Sequence, residues 1–168
     1  YLINLQIREP LKELELVKSI TSLEVIDNPV SIKVREQYEE NPYPRWVNLD
    51  LGFKPYAISK LSDEIELELF DDKIKDVEAP HILVAGCGTG QHSIATANRF
   101  KNSKVLAVDL SLSSLAYAKR KTEELGIKNI DYMQADILDL GKLERQFDIV
   151  ESAGVLHHMD DPVAGWRV

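Results

Sequence analysis

The feature that most constrains the fold is an apolar run that leads directly into three closely spaced glycines. Residues 82–85 read Ile-Leu-Val-Ala, and Gly86, Gly88 and Gly90 follow at alternate positions. Glycine has no Cβ atom, so its backbone adopts positive φ and allows a ligand to lie against the main chain. Because a helical pattern begins directly afterwards, the stretch predicts a strand, a ligand-binding turn and a helix over 90–100.

The spacing of these glycines argues against one common kind of nucleotide site. The fingerprint for dinucleotides is G-x-G-x-x-G, in which the third glycine lets the helix pack closely on the strand. Gln91 occupies that third position here, so the turn reads G-x-G-x-G instead. The sequence therefore disfavours an NAD-linked oxidoreductase.

Three further apolar runs end on acidic residues. Residues 105–108 lead into Asp109, residues 130–135 lead into Asp136, and a third run reaches Glu151. Asp109 lies about 20 residues past the glycines, where α/β nucleotide folds hydrogen-bond a ribose. A helix N-cap is the alternative role for this carboxylate, and its position at a strand end favours ribose. The strand ends are expected to line one crevice.

These motifs together resemble those of the class I S-adenosylmethionine-dependent methyltransferases. The segments Asp109-Leu110-Ser111, Ala135-Asp136-Ile137 and 147–158 follow the glycine turn in the family's order and spacing. The resemblance covers residues 80–160 and implies S-adenosyl-L-methionine as cofactor. It implies that the glycines shape the cofactor loop, that Asp109 binds the ribose hydroxyls and that Asp136 binds the adenine amino group. The implied cofactor-binding set is Gly86, Cys87, Gly88, Gly90, Asp109, Leu110, Asp136, Ile137 and Glu151.

One position departs from the family's pattern. Family members carry an acid two residues before the first glycine, and this chain has Val84. The ammonium group of the cofactor's methionine moiety then needs another partner. Backbone carbonyls near Ala85 and Ala153 are candidates, and Glu151 is a candidate for either the methionine moiety or a substrate.

Two adjacent histidines are the candidate catalytic bases. His157 and His158 follow the fourth core strand, near the expected position of the methyl group, and histidine exchanges a proton near neutral pH. Packing beneath the next helix is the competing interpretation. A metal role is disfavoured because sequence neighbours point to different sides, so no metal is expected.

The N-terminal part of the chain predicts helices followed by an aromatic loop. Leu11, Leu14 and other apolar residues predict an amphipathic helix over 10–28, and Asn28-Pro29 predicts the start of a second helix. The following loop offers a candidate lid or substrate surface, and anchoring of the helices is the alternative for the same residues. These candidates are Tyr38, Tyr43, Arg45 and Trp46.

The element order predicts an α/β fold with a Rossmann-like, doubly wound parallel sheet and an N-terminal helical extension. Residues 1–58 are assigned to the helical cap with its aromatic loop, and residues 59–168 to a partial S-adenosylmethionine-binding domain. The segment 59–78 is interpreted as helical, with a short helical turn near 142–146. The predicted core strands are 81–85, 104–109, 130–135 and 147–152.

These strands correspond to the first four of a seven-stranded methyltransferase sheet, so the chain is expected to be incomplete at its C-terminus. The fourth strand would then be an exposed apolar edge that can pair with another chain. The combination of the aromatic loop with the glycine turn also resembles bacterial methyltransferase domains attached to tetratricopeptide repeats.

Composition limits the partners and the compartment. The net charge is −8, which makes nucleic-acid binding unlikely because phosphate recognition needs clustered basic residues. The single cysteine excludes a disulfide framework and favours the cytoplasm. No apolar run approaches the roughly 18 residues of a membrane span. We expect a methyltransferase acting on a small-molecule or protein acceptor. The alternative is a catalytically inactive S-adenosylmethionine-binding or scaffold module.

Overall fold

The computed structural model describes residues 2–52, 54–66, 68–69 and 71–168. A five-stranded parallel sheet lies at its centre, with the strand order β1-β4-β3-β2-β5. The predicted Rossmann-like parallel sheet is confirmed. The strands are β1 (Thr21–Ser22), β2 (His81–Ala85), β3 (Lys104–Asp109), β4 (Ile130–Gln134) and β5 (Ile149–Glu151).

The central strands β2 and β3 are buried on both faces, which explains why they read as continuous apolar runs. Alternate residues point to opposite sides of the sheet. Ile82 and Val84 pack with residues of the helices on one face. Leu83 and Ala85 pack with residues of the segment 137–147 on the other face. The sheet is therefore covered on both sides, as a doubly wound fold requires.

In the described part of the chain, six α-helices accompany the sheet. They are α1 (Glu9–Val17), α2 (Pro29–Glu40), α3 (Ile58–Glu64), α4 (Gln91–Arg99), α5 (Leu112–Leu125) and α6 (Pro162–Arg167). Asn28 caps α2 by accepting hydrogen bonds from the N–H groups of Val30 and Ser31, each at 3.0 Å. The predicted start of α2 and the N-terminal helical extension are therefore confirmed.

The first predicted helix was wrong in its extent. The helix predicted over 10–28 ends at Val17, and a π-helical turn, Asn4–Arg8, precedes α1. The chain then forms β1, whose Thr21 lies opposite Met133 of β4. The apolar spacing cannot reveal this change, because the hydrogen-bonding partner of β1 lies more than a hundred residues away.

Other element boundaries also differ from the sequence predictions. Among the described residues of the segment predicted as a helix over 59–78, only those of Ile58–Glu64 and of a 3₁₀ turn, Asp72–Asp76, are helical. Leu67, which contributed to that ambiguous pattern, lies outside the described residues. The helical turn expected near 142–146 is a 3₁₀ helix at Ile137–Leu143. The last strand comprises three residues rather than the predicted 147–152.

The N-terminal helix α1 is attached to α5 by ion pairs around one buried arginine. The Arg120 side chain is 5% exposed and contacts Glu9 and Glu13 of α1 at 3.0 and 2.9 Å. It also contacts Glu124 one turn further along α5. Because a guanidinium presents five N–H donors, one buried arginine can satisfy several carboxylates at once.

The strand β5 forms one edge of the sheet, and Val150 within it is 62% exposed. Pairing through this edge stays a prediction. Among the residues that the structure describes, no helix has both the length and the apolar character needed to cross a membrane.

Candidate functional site

A cleft of about 460 Å³ opens at the carboxyl ends of β2, β3 and β4. The glycine turn forms its floor, and the residues that follow β3 and β4 form one wall. The opposite side is formed by α2, the loop after it and the segment 153–161. Parallel α/β sheets bind ligands at this edge, where the connections to the following helices diverge.

The three glycines of the turn have different steric roles, although each has positive φ. A Cβ atom on Gly86 would lie 2.3 Å from the side chain of Val155, and one on Gly90 would lie 2.5 Å from Ala118. Gly86 and Gly90 are therefore needed for packing. A Cβ atom on Gly88 would meet no other atom closer than the carbonyl oxygen of Tyr43 at 3.9 Å. Gly88 thus presents bare backbone to open space in the cleft.

The turn is held against β3 by backbone hydrogen bonds. The N–H groups of Gly86 and Cys87 both donate to the carbonyl oxygen of Val108, at 2.8 and 2.9 Å. Burial raises the pKa of the Cys87 thiol well above its usual value. The thiol is therefore neutral, and Cys87 is a packing residue in the floor of the cleft.

Asp109 connects the end of β3 to the glycine turn. Its Oδ2 atom accepts the N–H of Gly88 at 2.8 Å, and its Oδ1 atom accepts the N–H of Ser111 at 3.0 Å. Loss of hydration raises the pKa of this carboxyl, and the two N–H groups oppose that effect. Each carboxylate oxygen keeps a second lone pair. The N-cap alternative for Asp109 was wrong, because Ser111 caps α5 through the N–H of Ser114.

Asp136 occupies the equivalent place after β4. Its side chain is buried, and Oδ1 accepts the N–H of Leu138 at 3.0 Å, which starts the following 3₁₀ helix. The N–H of Ala135 donates to the backbone oxygen of Asp109 at 3.1 Å. This hydrogen bond continues the register of β3 and β4 to their carboxyl ends, so that Asp109 and Asp136 lie in the same wall of the cleft. Leu110 and Ile137 line the same wall.

Glu151 is not among the residues that line the cleft. Its Oε2 atom accepts the hydroxyl of Thr96 at 2.6 Å and lies 3.0 Å from Nε2 of His92. Burial raises the pKa of Glu151, but the contacts with His92 and Thr96 outweigh it and lower the pKa overall. His92 itself lines the cleft, so it stands between Glu151 and the open space.

The aromatic loop is divided between the cleft and the interior. Tyr43 lines the cleft, as does Tyr38 at the end of α2, whereas Arg45 and Trp46 do not. The buried Trp46 donates through Nε1 to the carbonyl oxygen of Thr89 at 3.0 Å. Arg45 pairs with Glu13 at 3.0 Å. These contacts match the anchoring alternative for Arg45 and Trp46.

The two candidate histidines also occupy different places. His158 lines the cleft and meets the ring of Tyr38 edge to face, with 6.4 Å between the ring centroids. His157 does not line the cleft, and its ring lies 4.0 Å from that of His158. Of these two histidines, His158 is thus the one within reach of a molecule in the cleft.

Sequence reasoning missed one face of α2 and the position of His92. Ser31, Val34 and Tyr38 are spaced three and four residues apart and all line the cleft. That spacing was visible in the sequence, because residues three, four and seven apart share a helix face. Nothing in the sequence indicated that the face covers the glycine turn.

The cleft suits a nucleoside that carries no pyrophosphate. Its volume is in the usual range for small-molecule sites. Gly88 leaves room for close backbone approach, and Asp109 offers acceptors for hydroxyl groups. Among the described residues of the lining, there is no lysine or arginine to neutralise phosphate groups. The residues present therefore fit the nucleoside and sulfonium groups of S-adenosylmethionine.

The parallel sheet, the glycine turn and the acids at the strand ends define a Rossmann-like domain that binds a nucleoside cofactor. Residues 82–166 match the family described as methyltransferase domain, and the chain belongs to this family. This confirms the expected class, the S-adenosylmethionine-dependent methyltransferases, and S-adenosylmethionine as the cofactor.

Individual curated proteins and solved structures are similar to this chain. An uncharacterized protein of Synechococcus is 36% identical over 87 residues, which are 51% of this chain and 21% of that protein. The (S)-coclaurine N-methyltransferase of Papaver somniferum is 29% identical over 100 residues, 58% of this chain and 28% of the enzyme. The magnesium protoporphyrin IX methyltransferase of Synechocystis, solved with its bound cofactor, has the same fold. Its TM-score is 0.55 at 20% identity, over 85% of this chain and 71% of that one.

The chain spans about a fifth to a quarter of the length of the first two curated relatives that it matches. Attachment to tetratricopeptide repeats and a missing C-terminal part of the sheet stay predictions.

Proposed function

We propose that this chain forms the cofactor-binding part of an S-adenosylmethionine-dependent methyltransferase whose acceptor is a neutral or cationic group. The observation that carries the proposal is the contact between the Gly88 N–H and the Asp109 carboxylate on the floor of the cleft. It places bare backbone beside a carboxylate that has free lone pairs. A ribose has adjacent hydroxyl groups that suit such a carboxylate.

We assign the nucleoside subsites to the wall that follows β3 and β4. Asp109 accepts hydrogen bonds from the ribose hydroxyls through the lone pairs that its backbone contacts leave free. Asp136 accepts from the adenine amino group through Oδ2, because its Oδ1 atom is used by Leu138. Leu110 and Ile137 supply the apolar surfaces for the base. Gly90 supports this arrangement through packing, whereas Gly86 both packs against Val155 and lines the cleft.

The cofactor supplies a methyl group bound to a sulfonium sulfur. When the methyl group is transferred, this sulfur leaves as a neutral thioether, which is a good leaving group. The chain's own residues are then required mainly to orient the acceptor and to exclude water. We assign this to Tyr38, Tyr43 and His158, which line the same cleft. Aromatic faces also stabilise a nearby positive charge. His158 is the residue that we assign to accept a proton from the acceptor, because His157 lies outside the lining.

The charge of the lining supports a neutral or cationic acceptor. The acids Asp109, Asp136, Asp160 and Asp161 line the cleft, and its described lining contains no lysine or arginine. An anionic acceptor would meet like charges there, which weakens binding. The relative from Papaver somniferum is named as an N-methyltransferase, and an amine acceptor has the charge that this lining favours.

The proposal is tested first by binding. S-adenosylhomocysteine at 100 times its dissociation constant stabilises a protein that binds it by about 2.7 kcal/mol, measured by thermal or urea unfolding. NADH, which carries a pyrophosphate, is the control ligand and is expected to give no stabilisation. Equal stabilisation by both ligands would contradict the assignment.

A measurement of methyl transfer then distinguishes an active enzyme from a non-catalytic binding module. The full-length protein is incubated with S-adenosylmethionine labelled in its methyl group and with fractionated cell extract. Transfer of label to a neutral or cationic compound or side chain supports the proposal. Binding of S-adenosylhomocysteine without transfer of label would favour the inactive binding or scaffold module, and labelling of an anionic group would contradict the proposed acceptor.

A further inference from the structure

A partly buried carboxylate lies next to the position where the family's acid is missing. Val84 is 1% exposed and its side chain is apolar. In the pairing of β2 with β5, Val84 lies directly opposite Glu151. The carboxylate is therefore displaced by one strand rather than absent.

Glu151 does not itself reach the cleft. Its side chain is 19% exposed, and Oε2 is held by the hydroxyl of Thr96 at 2.6 Å. The imidazole of His92 covers it, with Nε2 at 3.0 Å from the same oxygen. The imidazole and the carboxylate are in contact at this distance, although the ring nitrogen is not aligned with the oxygen for a directional hydrogen bond.

The two nitrogens of the His92 ring have different surroundings. Nε2 is fully buried beside Glu151, whereas 42% of the side chain is exposed and the residue lines the cleft. Nδ1 is the other polar atom of the ring. A carboxylate beside one ring nitrogen favours the proton on that nitrogen and leaves the other as an acceptor.

We propose that His92, oriented by Glu151 and Thr96, accepts a hydrogen bond through Nδ1 from the ammonium group of the cofactor's methionine moiety. Glu151, in contact with His92, supplies the negative charge that an acid at position 84 would supply. His92 lies two residues after Gly90, so it reaches the cleft beside the glycine turn. This inference rests on the proposed function, since it requires S-adenosylmethionine in the cleft.

The test uses three ligands that differ only at the methionine end. S-adenosylhomocysteine carries both the ammonium and the carboxylate, S-adenosyl-3-thiopropylamine keeps only the ammonium, and 5′-methylthioadenosine has neither. Calorimetry measures their affinities for the wild-type protein and for His92→Gln, whose amide occupies the place of Nε2 beside Glu151. We expect His92→Gln to weaken the binding of the two ammonium-bearing ligands about 10- to 100-fold, which is the range for the loss of a hydrogen bond to a charged group. The affinity for 5′-methylthioadenosine should stay within about twofold.

Other patterns overturn the inference. Loss of affinity for S-adenosylhomocysteine alone would assign His92 to the carboxylate, and equal loss for all three ligands would make it a structural support of the turn. No loss for any ligand would remove His92 from the site. If the wild-type protein binds none of the three, the proposed function itself fails.

The matched control is His81→Gln, the same substitution at the opposite end of β2. His81 is exposed at the start of this strand, away from the cleft. His81→Gln should leave all three affinities unchanged. A change there equal to that in His92→Gln would contradict the assignment to His92.

Discussion

The N–H of Gly88 and the carboxylate of Asp109 meet at 2.8 Å, and this contact joins the turn after β2 to the end of β3. Neither residue would form the site alone. Gly88 contributes a place without a side chain, and Asp109 contributes the acceptors beside it. The substitutions below separate these contributions from each other and from the stability of the fold.

Substitution of Gly88 by alanine should weaken S-adenosylhomocysteine binding beyond its effect on stability. Gly88 has φ of +52°, so alanine there is strained by about 1 kcal/mol. The new Cβ atom would also occupy cleft space that is now open. Urea unfolding and calorimetry measure the two effects separately.

Gly126→Ala is the matched control for this substitution. Gly126 ends α5 at φ of +70°, and a Cβ atom there would meet nothing within 4 Å. The stability of the Gly126→Ala variant should fall by a similar amount, about 1 kcal/mol, while its affinity for S-adenosylhomocysteine stays unchanged. If Gly88→Ala binds as tightly as Gly126→Ala, the assignment of the turn to the cofactor is wrong.

Cofactor affinity should fall with decreasing pH because of Asp109. Burial raises the pKa of this carboxyl, and the ionised form is the one that accepts both ribose hydroxyls. The affinity should therefore be constant above the raised pKa of Asp109 and decrease as the pH falls through it. This decrease should begin at a pH above about 3.9, the ordinary pKa of an aspartic acid. Calorimetry between about pH 4 and pH 8 measures the profile, and Asp109→Asn should lack this transition.

The raised pKa of Asp109 should give the stability of the unliganded protein a pH dependence opposite to that of cofactor affinity. A raised pKa means that the folded state holds the Asp109 proton more tightly than the unfolded state does. The contribution of this proton to the free energy of unfolding is therefore complete below about 3.9, the pKa of Asp109 in the unfolded state. It is lost as the pH rises through the raised pKa of Asp109 in the folded state. Asp109→Asn should remove this part of the pH dependence, whereas Asp131→Asn, at an exposed position of β4, should retain it. Identical profiles for the Asp109 variant and the wild-type protein would contradict the raised pKa.

Replacement of Arg120 by methionine should destabilise the fold by about 1.5 to 3 kcal/mol, because it removes the hydrogen bonds of a buried guanidinium to the carboxylates of Glu9 and Glu13. Urea unfolding measures this loss. The control is Lys12→Met, since Lys12 and Glu123 form an exposed pair at 3.5 Å whose contribution should be below about 1 kcal/mol. Equal losses in the two variants would show that burial does not strengthen the Arg120 contacts.

Substitution of His158 by glutamine should lower the turnover of the full-length enzyme by about 10²- to 10⁴-fold, the usual effect of losing a general base. The affinity for S-adenosylhomocysteine should change little, because His158 is assigned to the acceptor. His157→Gln should retain most of the turnover, since His157 lies outside the cleft lining. A larger effect at His157 would reverse the assignment.

The strand, turn and helix around residues 81–99 were predictable because their signals are local. An apolar run buried on both faces and glycines with positive φ leave few conformations for the chain. The same holds for Asp109 and Asp136, whose places after apolar strands predicted a shared edge. The strand β1 was not predictable, because two residues form a strand only when β4 supplies the hydrogen bonds.

The sequence by itself determined the class of fold, the glycine turn and the acids at the strand ends, since each depends on residues close together in the chain. Only the tertiary structure decided which side chains face the cleft. Tyr38 and His158 lie 120 positions apart and meet ring to ring, while Trp46 turns inward to bond the glycine turn. The pairing of β2 with β5 places Glu151 opposite Val84, and His92 then separates it from the cleft. These relationships depend on packing between distant segments, which no local pattern of residue types specifies.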